Sequence, residues 1–338
     1  MNFSTIPTAS RSTLEIDTLR GLACILLVTF HVIGDSPQSG LRIAEPNWLS
    51  AANGLLAYVR MPLFAFLSGY VYAFRPFGGN TKQFVRGKVR RLLLPLLTVG
   101  TAFALVQSAM PGSHGQVTNW WMLHINPVGH FWFLQSLFVV FMIVLVLEYS
   151  ELLLTPLGMA AAWGLSLFAL EFVHAPTYLG LGGALYLLPF FLTGLWCNRF
   201  AIDTQIVRLM AALVMLACLG LVLAYPATLG GQNTVAGALL GMSAAFLLLR
   251  SGWVWPALAR IGQFSFAIYL FHVFFTAASR MVLGKLGMDN LYVLLIMGVS
   301  AGLSGPVVAA CLIRHSDRLN RLVLGASGGG TGLRPAAA

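Results

Sequence analysis

Residues 137–147 read LFVVFMIVLVL, and residues 209–223 read LMAALVMLACLGLVL. Both stretches are apolar on every face of a helix. Neither alternates apolar and polar residues, as the strands of an outer-membrane barrel would. An apolar run of this length with no charge has the length and chemistry of a bilayer crossing. The rest of the chain agrees. Of its 338 residues, 58% are hydrophobic and only 9% are charged, against about 25% charged in an ordinary soluble domain. The mean hydropathy is +0.82. A soluble globular enzyme and a disordered chain are both excluded. The sequence predicts an all-α, polytopic membrane helix bundle of about ten transmembrane helices. The spans fall at 19–34, 52–74, 92–109, 130–147, 152–170, 184–198, 206–225, 234–250, 261–279 and 291–313.

The net charge of +10 follows from topology and does not call for nucleic acid. With the N-terminus inside, fifteen Lys and Arg fall on the inner side: one in the N-terminal lead, six between Arg75 and Arg91, four in the next two inner loops, and four from Arg314 onward. Three (Arg42, Arg280 and Lys285) fall outside, and Arg20 and Arg60 lie within spans. The positive-inside rule then puts both termini in the cytoplasm. Residues 1–14 read as a polar lead, 15–315 as one transmembrane domain, and 316–338 as a cytoplasmic tail, Gly/Ala-rich and disordered from Gly325. The first hydrophobic stretch carries Arg20 and no small-residue cleavage pattern, so it is expected to be retained as a span. Cys24, Cys197, Cys218 and Cys311 are scattered and form no CxxC pair. No disulfide or metal site is expected from them.

Ionisable residues inside spans cost roughly 2.5–3.5 kcal/mol each on insertion scales and are functional hypotheses by default. Arg20 and His31 are eleven residues apart. At about 100° per residue they share a helix face, roughly 16 Å apart along the axis. Asp17 and Cys24 lie near the same stripe. The competing account is a snorkelling arginine and a structural histidine. Arg60 sits deep in the second span, in Arg60-Met61-Pro62-Leu63-Phe64, and wants a polar or acidic partner. Ser68 and Gly69 would let helices approach closely. The segment 75–91 has six cations and no acid. Its Lys88 and Arg91, three apart, would share a helix face and could grip phosphates, together with Arg86 and Arg90. Anchorage on lipid headgroups is the alternative. His114, Trp120, Trp121, His124, Asn126 and His130 cluster on the outer side, suited to stacking on a sugar or to an interfacial aromatic belt. Gly262, Ser265, Tyr269 and His272 follow 3-4-3 spacing, a polar face looking into the bundle.

Together these pieces resemble the acyltransferase family 3 membrane proteins. IDTLRGLACILLVTFHV from Ile16 resembles that family's opening motif, with Asp17, Arg20 and His31 in its key places. FLSGY (66–70), Lys88-x-x-Arg91 followed by Pro95, HFWFL (130–134) and GQFSFAIYLFH (262–272) resemble its later motifs, in order. The Arg60-Met61-Pro62-Leu63-Phe64 segment resembles a branch of fucose 4-O-acetylases that often has His where Arg60 stands. The resemblance implies a multi-pass enzyme of the bacterial inner membrane. It would move an acyl group, most often acetyl from acetyl-CoA, to a hydroxyl of a cell-surface polysaccharide or lipid-linked sugar. His31 would be general base, with Asp17 and Arg20 completing the catalytic set. Lys88, Arg91, Arg90 and Arg86 would hold the CoA phosphates. Arg60, Ser68, Trp132, Gln135, Ser265, Tyr269 and His272 would serve the acceptor or the oxyanion. No metal and no nucleic acid would take part. Two other classes stay open on the residues alone. One is a transporter or flippase. The other is a haem or quinone protein using His31, His130 and His272.

Overall fold

The computed structural model describes residues 11–44, 46–110, 119–126 and 128–327. Among them there are twelve helices and no strand. They are α1 (Arg11–Ile33), α2 (Trp48–Tyr72), α3 (Thr81–Ala109), α4 (Trp132–Tyr149), α5 (Pro156–Phe172) and α6 (Leu181–Arg199), then α7 (Gln205–Ala224), α8 (Val235–Arg250), α9 (Pro256–Gly262), α10 (Ser265–Lys285), α11 (Leu291–Ile313) and α12 (Asp317–Leu324). Eight are long and apolar enough to cross a bilayer. The helices α5 and α8, expected as the other two of ten spans, are apolar but shorter, at 17 and 16 residues.

The boundaries follow local chemistry. Asn47, Thr155, Thr204, Thr234, Asn290 and Ser316 each stand just before a helix. Each accepts a hydrogen bond from a backbone N–H of its first turn, which satisfies a donor that the helix leaves free. Pro156 follows Thr155 at the first helical position, where its missing N–H is harmless. Inside α3 the backbone widens to a π-helical pattern at Val89–Leu93 and Leu96–Gly100, on either side of Pro95, whose ring removes one ladder hydrogen bond.

Four expectations need correction. The N-terminal lead does not run to residue 14, because α1 begins at Arg11, whose Nε bonds Glu15 one turn on at 3.3 Å. The third span starts at Thr81 rather than 92, since the basic segment continues it as helix. The expected face 262–265–269–272 crosses a break: Gly262 ends α9, a turn at Gln263 and Phe264 intervenes, and α10 starts at Ser265. The chain beyond 316 is not all tail either. Ser316 caps α12, and Gly325 closes it at φ 64°, a conformation that favours glycine. The Arg90 Nε and Thr98 Oγ1 groups of α3 donate to the carbonyls of Gly325 and Leu322, at 3.2 and 2.9 Å. Residues 328–338, and His114 within 111–118, lie outside the described residues.

Packing depends on small residues. A Cβ on Gly69 of α2 would overlap the Phe191 carbonyl of α6, and a Cβ on Gly194 would overlap that of Phe66. The two backbones therefore touch, as membrane helices do where bulk is absent. The same holds for Gly262 of α9 against the Asp17 carbonyl of α1. Phe66, Phe131, Phe190 and Phe191 fill the centre. By contrast, only Cys218 and Val222 of α7 are buried, while Leu209, Leu213, Leu216 and Leu223 are exposed. An apolar rim of this extent fits lipid. Both α1 and α12 reach the end of the bundle that carries the basic segment: Arg11 and Glu15 lie beside Gly252, and α12 rests on α3. At that end the half-buried Arg199 makes a two-pronged ion pair with the buried Glu148, at 2.5 and 3.2 Å.

Candidate active site

Three imidazoles from three distant parts of the chain meet near the other end. His31 is on the last turn of α1, His130 on the 3-10 turn Gly129–Phe131 that leads into α4, and His272 on the second turn of α10. The ring centroids are 4.8 Å apart for His31 and His272, 4.8 Å for His130 and His272, and 5.8 Å for His31 and His130. His272 is wholly buried and His130 nearly so. His272 Nδ1 donates to the carbonyls of Ile268 and Tyr269, at 2.8 and 2.9 Å. That bond assigns the proton to Nδ1 and leaves Nε2 with its lone pair. The Nε2 atoms of both His130 and His272 are buried without a hydrogen-bond partner. Two such atoms side by side call for a functional explanation. The Tyr269 hydroxyl donates to the His130 carbonyl, which ties α10 to the turn.

His31, His130 and Tyr269 line a cavity of about 590 Å³. Its other walls include Phe30, Asn53, Arg60, Trp132 and Gln232, and Asp35 and Ser36 stand where the loop after α1 borders it. Arg60 is buried, with its guanidinium 3.7 Å above the centre of the Phe30 ring. Its Nη1 donates to Asn53 Oδ1 at 3.4 Å, and Asn53 Nδ2 donates to the Gly34 carbonyl at 3.0 Å.

The remaining expected site residues lie elsewhere. Arg20 pairs with Asp17 at 3.3 Å, about 16 Å along α1 from His31 at 1.5 Å per residue. Ser68 donates to the Phe64 carbonyl of its own helix at 2.8 Å. Gln135 Nε2 donates to the His124 carbonyl at 2.7 Å, while its buried Oε1 has no partner. The Ser265 carbonyl faces the thiol of Cys24 at 4.0 Å. None of these lines the cavity. In the outer segment, His124 Nε2 lies 3.0 Å from Thr101 Oγ1, and burial lowers its pKa from the ordinary imidazole value.

The basic segment forms a second, open concavity of about 650 Å³ at the opposite end. Lys82, Arg86, Lys88, Arg90 and Arg91 line it. Lys88 and Arg91 both line this concavity, at the start of the π-helical turn Val89–Leu93. The Lys88 ammonium turns inward, 3.5 Å from the centre of the Phe141 ring, with Phe84 and Tyr72 at 5.2 and 5.7 Å. Arg86 and Arg91 stay exposed. Among the described residues, no group of three or more His, Cys, Asp or Glu side chains is arranged to hold a metal ion.

His130 is grouped with His31 and His272 in the sequence only as a possible haem or quinone ligand, and helix packing brings the three rings together. Phe30 and Asn53 escaped notice. Their only signals are adjacency to His31 and a polar residue two turns before Arg60 on an otherwise apolar helix.

The fold and cavity describe a membrane helix bundle with a histidine cluster at one end and an arginine-lined hollow at the other. Residues 13–315 match the family described as an acyltransferase domain. The chain belongs to that acyltransferase family. It is 26% identical over 183 residues to nodulation protein NolL of Mesorhizobium japonicum (strain LMG 29417 / CECT 9101 / MAFF 303099), a match covering 54% of this chain and 46% of that protein. The chain thus aligns with about half the length of this curated relative. No solved structure matches it.

Proposed function

We propose that the chain transfers an acyl group, acetyl from acetyl-CoA in the first instance, to a hydroxyl of a cell-surface or lipid-linked carbohydrate, with His31 as general base. The observation that carries this reading is the site itself. His31 borders a cavity of sugar size, and the buried imidazoles of His130 and His272 stand against it. His31 takes the proton of the acceptor hydroxyl as its oxygen attacks the thioester carbonyl. The C–O bond forms, the C–S bond breaks, and His31 returns the proton to the departing thiolate. Trp132 offers a flat face to a sugar ring at the cavity wall.

The arginine-lined concavity suits the polyphosphate end of the donor. Arg86 and Arg91 are exposed and free to fork onto phosphate oxygens. Lys88, held among aromatic rings, and Arg90, bonded to Gly325, shape the floor. By the positive-inside rule this end faces the cytoplasm and the histidine end the outside of a bacterial inner membrane. The family's acyl chemistry, read onto this arrangement, supports donor and acceptor arriving from opposite faces.

The test is a deletion strain of the source organism complemented with wild type or His31→Ala. O-acyl content of surface polysaccharide and lipid-linked glycan is compared by NMR and mass spectrometry. Loss on deletion, restoration by wild type and no restoration by His31→Ala is the expected pattern. Unchanged O-acylation across all strains overturns the reading.

A further inference from the structure

The cavity holds a cation that the transfer chemistry does not require. Arg60 is only 5% exposed. No carboxylate lies within ion-pair distance of it among the described residues. Its guanidinium is steadied by the Phe30 face and by one long bond to Asn53, which leaves most of its N–H donors without a partner among the described residues. Near it, the buried Tyr186 hydroxyl also lacks a hydrogen-bond partner. Asp35, the acidic side chain at the cavity, is exposed at the mouth and engaged by the Ser39 and Ser36 hydroxyls, at 2.5 and 3.3 Å. It does not neutralise Arg60.

A buried charge persists in a membrane protein when something of opposite sign meets it. The shelf of Phe30 and Asn53 holds the guanidinium in place, as pre-organised recognition of a planar or tetrahedral anion requires. The cavity lies at the end opposite the arginine-lined concavity, so the missing anion belongs to the acceptor and not to the phosphates of the donor.

We infer that Arg60 is an anion-recognition residue, and that the acceptor is a sugar bearing a carboxylate or a phosphate next to the hydroxyl acylated at His31. This rests on reading the cavity as the acceptor site. The chemistry shared by the two sources is a compact oxyanion within reach of both Arg60 and His31.

The experiment uses the full chain in nanodiscs of zwitterionic lipid, without acyl-CoA. Equilibrium binding is measured for methyl β-glucuronide, methyl β-glucoside and methyl β-glucoside 6-phosphate. One or both anionic sugars should bind tighter than the neutral one by roughly ten- to a hundredfold, the range of a hydrogen-bonded charge. Which of the two does so tells carboxylate from phosphate. Arg60→Gln should erase the preference and Arg60→Lys should keep part of it. If Arg60→Gln does not fold, the wild-type ratio and Arg60→Lys still decide. Equal binding of charged and neutral sugars, binding of none of the three, or a preference surviving in Arg60→Gln overturns the inference. Because no acyl donor is present, the two readings fail separately. Anion preference without transfer would sink the transferase reading alone. Transfer to a neutral sugar without anion preference would sink this inference alone.

Discussion

His31 and His272 stand with their ring centroids 4.8 Å apart and their planes at 56°, one at the end of the first helix and the other on the tenth. The two bonds from His272 Nδ1 to its own helix hold that ring still. Its Nε2 is buried without a hydrogen-bond partner beside His31, the proposed base.

This arrangement separates the two roles by mutation. His31→Ala should lower kcat by about 10²–10⁴-fold, the usual range for losing a general base, with the protein still folded by thermal melt. His272→Ala should lower kcat less, by roughly tenfold, change neither KM much, and move the acidic limb of the pH–rate profile, where His31 takes up a proton and ceases to act as base. A His272→Ala enzyme with wild-type kcat and pH profile would remove His272 from the mechanism.

At the opposite end, the cations of the concavity should not behave alike. Arg86→Gln with Arg91→Gln should raise KM for acyl-CoA by about tenfold or more, since hydrogen bonds to charged groups contribute around 1.5–3 kcal/mol, while the acceptor KM stays level. Lys88→Met should mainly lower thermal stability, by about 0.5–2 kcal/mol of lost cation–π attraction. Initial rates at varied donor and acceptor concentrations measure the first effect, and melting curves the second. An unchanged donor KM in the double arginine variant would reduce that patch to a lipid anchor.

Glu148 and Arg199 offer a stability test away from both sites. Glu148→Gln leaves a half-buried guanidinium uncompensated and should cost about 3–5 kcal/mol. Changing both residues to Met should recover much of that loss. Denaturation in detergent compares the three proteins, and a Glu148→Gln melt equal to wild type would show that the pair is solvated.

Helix contact can be tested by a methyl group. Gly194→Ala places a Cβ against the Phe66 backbone and should destabilise by at least about 2 kcal/mol through overpacking. Gly220→Ala on α7 meets nothing within 4 Å and should be neutral or stabilising by about 0.5–1 kcal/mol. The yield of monodisperse protein and its melting temperature discriminate the two.

Much of this protein is legible in its residues taken in order. Apolar runs such as 137–147 and 209–223 determine helices and membrane, because backbone groups in lipid must bond within their own segment. The imbalance of Lys and Arg sorts the loops, and Asn47, Thr155 and Thr204 mark where helices start. His31 and Arg60 are also readable as candidates, since an ionisable side chain inside an apolar span needs a reason. What no local pattern contains is which distant residues share a space. His130 reads both as one of several outer aromatics and as a possible ligand with His31 and His272, and the α10 contact through Tyr269 brings it beside His272. Lys88 and Arg91 read as one face and line one concavity, but packing turns the Lys88 ammonium onto the Phe141 ring and leaves Arg91 in the open. Arg60 reads as wanting a partner, and only the assembled cavity shows that, among the described residues, the chain supplies it with Phe30 and Asn53 but no anion. Helix formation depends on neighbours along the chain. The site depends on packing between helices far apart in it, and close glycine contacts such as Gly69 on Phe191 set that geometry.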